Sequence, residues 1–263
     1  MQKHLTLSYF LTAILLMCSV KFSPAQTEEI KKEKKKFDSN KAVLIAPVYT
    51  GQFPFGNMRD RFGYNSLFGI HIMYKMKKNW LLGFEGNFLY GTTVRESYVL
   101  DNISISTGQF IGQNNNLISV RPQEMGFSFK LNAGKIFPFS EKYPDAGLML
   151  LTGFGFLQHK ISINVKESSL PQLNTTYRKG YDRMANGPVL SQFVGGVFMA
   201  RRKFMSAYAG LQFDAAFTQG RRPFDFYSMQ PMKDKRIDLF LGFKVGWIIP
   251  VFLQTSEKEF FYY

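Results

Sequence analysis

The chain has 263 residues, 45% hydrophobic and 16% aromatic with 28 phenylalanines, and its 33 Lys and Arg against 19 Asp and Glu give a formal charge of +14. After residue 25 no segment reaches the roughly 18 consecutive apolar residues of a membrane helix, which excludes a membrane protein built of helices. The single cysteine, Cys18, lies before that point, so the rest of the chain holds no disulfide and no thiolate metal site.

Residues 1–25 combine a basic start (Lys3, His4), an apolar stretch over 10–20 and the small-residue exit Ser23-Pro24-Ala25. This is the layout of a secretory signal peptide, and cleavage is expected after Ala25. Cys18 follows Leu15-Leu16-Met17, and a methionine directly before the cysteine is too bulky for an ordinary lipidation site, so lipidation is the lesser expectation. Removing 25 of the 263 residues leaves 238, room for one large β domain or two small ones, and the loss of Lys3 and Lys21 lowers the charge from +14 to +12. In a secreted protein such a balance points to an anionic lipid surface rather than nucleic acid. Residues 26–40 contain the charge run EEIKKEKKK and read as a solvated periplasmic tail.

From Lys41 the apolar period becomes two, the mark of β-strands. In 80–90, Leu82, Phe84, Phe88 and Tyr90 share one face with Gly86, and Gly83, Glu85 and Asn87 the other. The same alternation runs through 125–133, 207–217 and 237–247, and more weakly through 42–52, 66–76, 147–158 and 189–200. Eight strands near the crossing length of about 9–11 residues result. Connections 77–79, 138–146 and 201–203 are short, and 53–65, 91–124, 159–188 and 218–236 are long. An all-β, eight-stranded antiparallel up-and-down transmembrane barrel over 41–253, with its N-terminus in the periplasm and long extracellular loops, requires this order. Pro47 inside the first strand predicts a bulge or a shorter strand there. Ser97-Tyr98-Val99-Leu100, Leu117-Ile118-Ser119-Val120 and 161–165 are strand-like and read as strands continuing above the membrane, with ten strands as the alternative.

Alternation alone does not say which face meets water. The polar faces are rich in Gly with a few isolated charges, which suits a narrow lumen better than a solvated sheet, and Tyr74, Trp80, Tyr90 and Trp247 end the apolar face where aromatic girdles are expected. A soluble sandwich or lipocalin-like barrel is the competing reading. Eight strands leave an interior that side chains fill, so an aqueous pore is not expected.

If Met76 pairs with Trp80, His71 faces Glu85 across the second and third strands. A base with its orienting carboxylate is one reading, and Glu85 would then favour protonated His71. The plainer reading is a charge-neutralising lumen cluster of His71, Glu85, Lys130, Gln212, Asp214, Asp238 and Lys244. Only His71 and His159 supply imidazoles after residue 25, and both fall on the lumen face. With no Gly-x-Ser-x-Gly elbow, phosphate loop or metal-ligand spacing, no catalytic residue, metal or cofactor is assigned. Arg59, Arg61, Arg178, Lys179, Arg183, Arg221 and Arg222 gather in the long loops. They are candidate contacts for lipopolysaccharide phosphates or a protein partner, or else solvated charges paired with Asp60, Asp182 or Asp225.

The Ala25-Gln26 junction, the Gly/Phe-rich strands, the opening 41–56, the segment 180–187 and the tail Phe260-Phe261-Tyr262-Tyr263 over 254–263 together resemble the small outer-membrane β-barrels common in Bacteroidota, similar in build to OmpA and OmpX. The resemblance implies a location in the outer membrane and contact with its lipid and lipopolysaccharide. It also implies either a non-catalytic accessory or anchoring role in a secretion or assembly complex, such as type IX secretion, or that of a surface receptor or adhesin acting through the loops.

Overall fold

The computed structural model describes residues 41–113, 115–140, 143–165, 170–199 and 206–252; the expected signal peptide with Cys18, the tail 26–40, the turn 201–203 and the tail 254–263 lie outside the described residues. In chain order the strands are β1 (Ala42–Phe55), β2 (Asn65–Lys75), β3 (Trp80–Gly91), β4 (Phe110–Ile111), β5 (Leu117–Ile118), β6 (Pro122–Ser140), β7 (Tyr143–Ile163), β8 (Ala185–Phe198), β9 (Ser206–Gly220) and β10 (Lys235–Phe252). Eight of them form one closed antiparallel barrel in which β1 pairs with β10, leaving no open edge, while β4 and β5 make a separate two-stranded hairpin. The eight-stranded fold is therefore the one expected from the alternation.

Face parity follows from the pleat, and the burial pattern shows it. In β8 every second residue from Ala185 to Val197 is buried, and in β10 Leu241, Phe243, Val245 and Trp247 point outward while Gly242, Lys244 and Gly246 point inward. The β2–β3 turn sets the register. Met76 N donates to Trp80 O (2.9 Å) and Asn79 N to Met76 O (3.0 Å), with Asn79 at φ 61°, a left-handed position that asparagine tolerates. His71 then stands directly opposite Glu85.

Several local expectations are corrected. β1 is neither bulged nor shortened at Pro47. Its register with β10 is the same on both sides, and only the rungs at Ala46 and Pro47 are missing, because proline has no N–H to donate and here points outward. Most of the expected 138–146 connection is strand, since β6 runs to Ser140 with a register shift between Pro138 and Ser140, and β7 starts at Tyr143. The barrel strands are 11 to 21 residues long, most of them exceeding what a crossing needs. Of the three strand-like loop segments, 97–100 falls in a 3-10 helix (Ser97–Ile103), Leu117–Ile118 belongs to the small hairpin, and only the third continues a barrel strand, β7, to Ile163.

The interior is also less glycine-dominated than the polar faces suggested. An apolar layer that includes Leu44, Met73, Leu81, Ile136, Met149, Phe193 and Ile248 fills the turn end, and a second that includes Leu67, Leu89, Leu157, Val189 and Phe240 fills the loop end. Lys130, Glu85 and Lys244 belong to a polar layer and are each 1% exposed. Glycine is required where side chains cross the lumen: a Cβ at Gly246 would stand 2.3 Å from the Tyr208 ring, and one at Gly153 would stand 2.2 Å from Asn132 Oδ1.

Candidate functional site

Within the polar layer, closure of the barrel brings β10 across to β3. Lys244 Nζ donates to Glu85 Oε2 (2.5 Å), Lys130 Nζ lies 3.7 Å from Glu85 Oε1, and Lys130 also donates to Asp214 Oδ2 (3.2 Å). Two ammonium and two carboxylate groups thus balance in a space closed to water, which is what keeps buried charges tolerable. Gln212 Nε2 donates to both Asp214 oxygens (3.0 and 2.8 Å), and Asn87 Nδ2 and Asn132 Nδ2 donate to Glu85 (2.8 and 3.3 Å).

His71 and Glu85 face each other as expected, but as a close pair without a hydrogen bond. His71 Nδ1 is 3.8 Å from Glu85 Oε2 and meets the Tyr208 hydroxyl at 3.0 Å, while Nε2 faces Asn132 Nδ2 at 3.1 Å. Glu85 is turned instead to Lys244, a cation whose long side chain spans the lumen. Asp238 also leaves the group assigned to it: it accepts from Thr218 Oγ1 and meets His159 Nε2 at 3.2 Å, and His159 Nδ1 lies 3.7 Å from Glu124. The seven expected residues therefore divide between two polar groups. Asn132, Tyr208, His159 and Glu124 complete them, and lumen parity in a polar or phenolic residue is the sequence signal that marks each one.

Beyond the barrel the loops build a cap. Helix α1 (Asn57–Arg61) and the residue after it turn Met58 and Phe62 into the mouth, both fully buried, where Phe62 meets the His159 ring edge-on at 5.6 Å. Helix α2 (Thr175–Tyr181) starts at Asn174, whose Oδ1 accepts from Thr176 N and Tyr177 N (3.0 Å each). Val99, Leu100, Phe110, Leu170, Leu173 and Tyr181 join the apolar layer of the barrel's loop end, so the cap and the barrel share one core.

Four of the seven candidate loop cations are engaged inside this cap. Arg61 Nε donates to Glu96 (3.0 Å), and Arg183 reaches Glu96 (3.1 Å) and Asp225 (2.9 Å) between the rings of Tyr98 and Tyr227, 5.6 and 5.8 Å away. Burial works against the Arg183 charge, but the hydrogen bond to Tyr98 and the two carboxylates outweigh it and raise its pKa above the ordinary arginine value. Arg222 forms a two-pronged pair with Asp182, and Arg178 donates to the carbonyls of Leu173 and Val165. Arg59, Lys179 and Arg221 are exposed, Arg221 with its Nε on Asn186 Oδ1 (2.5 Å).

The cap also exposes apolar groups. Tyr98 and Tyr227 stand 5.1 Å apart, Tyr177 and Phe224 flank Phe226 at 5.9 and 6.2 Å, and Met229 is 68% exposed at φ 54°. A left-handed backbone under a bulky residue costs of order 1 kcal/mol, so the loop holds Met229 outward at some expense.

On the outer wall, Ile237 to Trp247 of β10 spans about ten residue steps, which at about 3.3 Å each and a tilt near 40° make an apolar band about 25 Å tall. Trp80 and Trp247 are half exposed on this outer wall, and Lys135 Nζ lies 5.4 Å over the Trp80 ring. Among the described residues one polar pair interrupts the band: Thr152 Oγ1 donates to Gln192 Oε1 (2.8 Å), both exposed on neighbouring strands. Sequence reasoning passed over this pair, although an amide at lipid-face parity is its signal.

No family model matches the chain, and no curated protein is detectably similar to it in sequence. Among solved structures it is similar in shape to the attachment invasion locus protein Ail of Yersinia pestis, crystallised with the heparin analogue sucrose octasulfate (10% identity, 81% of this chain and 99% of that one, TM-score 0.37). It is also similar to the N-terminal β-barrel domain of Pseudomonas aeruginosa OprF (11%, 79% and 98%, TM-score 0.35) and to Neisserial surface protein A (10%, 78% and 96%, TM-score 0.38).

Proposed function

We propose that the chain is a non-catalytic barrel of an outer membrane, with its loops outside the cell, that serves as an accessory or anchoring subunit of an outer-membrane complex. The observation that carries the membrane reading is the apolar outer wall: Phe84, Leu131, Phe154, Leu211 and Phe243 are 46 to 65% exposed on a barrel whose polar groups are inside. A soluble protein of this size does not leave so continuous a surface to water. Leu241→Lys, near the middle of the band, is expected to destabilise the refolded barrel in phospholipid vesicles by about 2–4 kcal/mol. Chemical unfolding followed by tryptophan fluorescence measures it, and a neutral or stabilising result speaks for a soluble barrel.

The subunit role is supported by a cap that shares its core with the barrel yet shows Tyr98, Tyr227, Tyr177, Phe224 and Met229 to the outside. Aromatic and methionine side chains on an ordered scaffold are the composition of protein contact surfaces. The Thr152–Gln192 pair adds a polar contact within the membrane plane, a place where such groups join chains. After extraction in mild detergent, the wild type is expected to carry a defined partner in fixed proportion, and Tyr227→Ser with Met229→Asp is expected to shed it. A monodisperse lone barrel would remove the subunit reading and leave a receptor or adhesin acting through the same loops.

A further inference from the structure

At the loop end of β7 to β10 the outward face changes character within one register step. Gln158 faces Asn186, Asn186 faces Gln219, and Gln219 faces Lys235, a row of amides ending in an ammonium group. The next outward row toward the turn end holds Phe156, Pro188, Phe217 and Ile237. Two residues above the amides, Lys160 and Arg221 also point outward; the Arg221 amide donates to Met184 O (2.9 Å) and so continues the ladder that sets its direction. Gln158 and Asn186 are joined side chain to side chain (3.4 Å), and Asn186 Oδ1 holds the Arg221 Nε, a contact that takes one of the guanidinium N–H donors.

We propose that this strip, with Lys160, Arg221 and Lys235 around it, binds the phosphate-bearing headgroup of a lipid in the outer leaflet. The proposal rests on the membrane reading above, because the strip lies immediately over the last apolar row, at the height where acyl chains give way to headgroups. Lys160 on β7 and Arg221 on β9 are two strands apart, about 10 Å, within reach of one diphosphorylated glycolipid headgroup. Asp234, the acidic residue beside Lys235, alternates away from the strip and acts electrostatically on Arg236 at the mouth. The outward faces of β1 to β3 offer no such site: at that end, among the described residues, they present Phe53, Phe55, Ser66 and Tyr90 and no cation, with Tyr64 bonded to Tyr49 (2.6 Å). The strip is also separate from the arginines spent inside the cap.

The test uses the full processed chain in uncharged detergent, with diphosphorylated lipid A and its dephosphorylated form as probes and native mass spectrometry as the readout. The wild type is expected to prefer the phosphorylated form by at least about tenfold, and Lys160→Gln/Arg221→Gln/Lys235→Gln is expected to abolish the preference. Lys160→Gln/Lys235→Gln, which leaves the Arg221–Asn186 contact in place, should weaken it in the same direction. Lys77→Gln/Lys78→Gln, at the other end of the barrel, should not. An unchanged preference in the triple variant, an equal loss in the turn-end variant, or displacement of the lipid by inorganic phosphate overturns the assignment. A chain that stays dissolved without detergent defeats the membrane reading itself, whereas a detergent-requiring barrel without the preference defeats only the lipid site.

Discussion

Lys244→Met is expected to destabilise the refolded barrel by about 3 kcal/mol, the lower end of the cost of removing one partner from a buried ion pair. Lys244 and Glu85 are each 1% exposed and in direct contact, so the deletion leaves a carboxylate in a dry interior. The loss stays near the lower end because Glu85 keeps Asn87 at 2.8 Å, Asn132 at 3.3 Å and Lys130 at 3.7 Å. Glu85→Gln in the Lys244→Met background removes the stranded charge and should recover most of the loss. That recovery separates an electrostatic cost from a packing one, since the double variant still lacks the lysine stem. Urea midpoints in a fixed lipid or detergent give all four corners of the cycle. A single variant within about 0.5 kcal/mol of wild type would mean that the lumen admits water at this level.

Arg183→Met is expected to loosen the cap and leave the barrel intact. Arg183 precedes β8 and ties two other loops together, holding Glu96 and Tyr98 on one side and Asp225 and Tyr227 on the other. Its removal leaves Glu96 with Arg61 alone and takes from Asp225 its cation, both carboxylates being buried (7% and 5% exposed), at a local cost of about 3 kcal/mol, enough to raise amide exchange in residues 92–121 and 221–234 about 100-fold. The amides of β1 to β3 and β6 to β10 near the turn end should keep their protection. Arg183→Lys should not restore the cap, because an ammonium group makes neither the two-way contact nor the stacking between two tyrosines. Unchanged exchange in Arg183→Met, or full rescue by lysine, would show that the shared apolar core alone holds the loops down.

Strand position and facing were legible because both are local. A period of two in 80–90 or 237–247 needs no knowledge of the partner strand, and the three-residue turn after Met76 carries the register from β2 to β3. The same reasoning misjudged 97–100, where Tyr98, Val99 and Leu100 suit a strand but enter a 3-10 helix that turns Val99 and Leu100 into the mouth. For the loop arginines it left two readings open, external contacts or pairing with Asp60, Asp182 or Asp225; Arg222 meets Asp182 and Arg183 meets Asp225, whereas the Glu96 carboxylate that holds Arg61 and Arg183 and the carbonyls that hold Arg178 come from other loops or other parts of the same loop and left no local signal.

By itself, then, the amino-acid order determined a β chain, the positions of the eight alternating segments, and which side chains of each look inward, because alternation along an extended backbone is a property of neighbours; that the strand-like loop segments add no ninth or tenth barrel strand was decided by the tertiary structure. Which inward charge meets which was decided by closure. Glu85 and Lys244 are 159 residues apart and come together only when β10 joins β1, so the hydrogen bond goes to a lysine from a distant strand while the His71 directly opposite stands at 3.8 Å. The capped mouth was decided in the same way, since residues from separate loops share one apolar core only after the strands have brought their ends together.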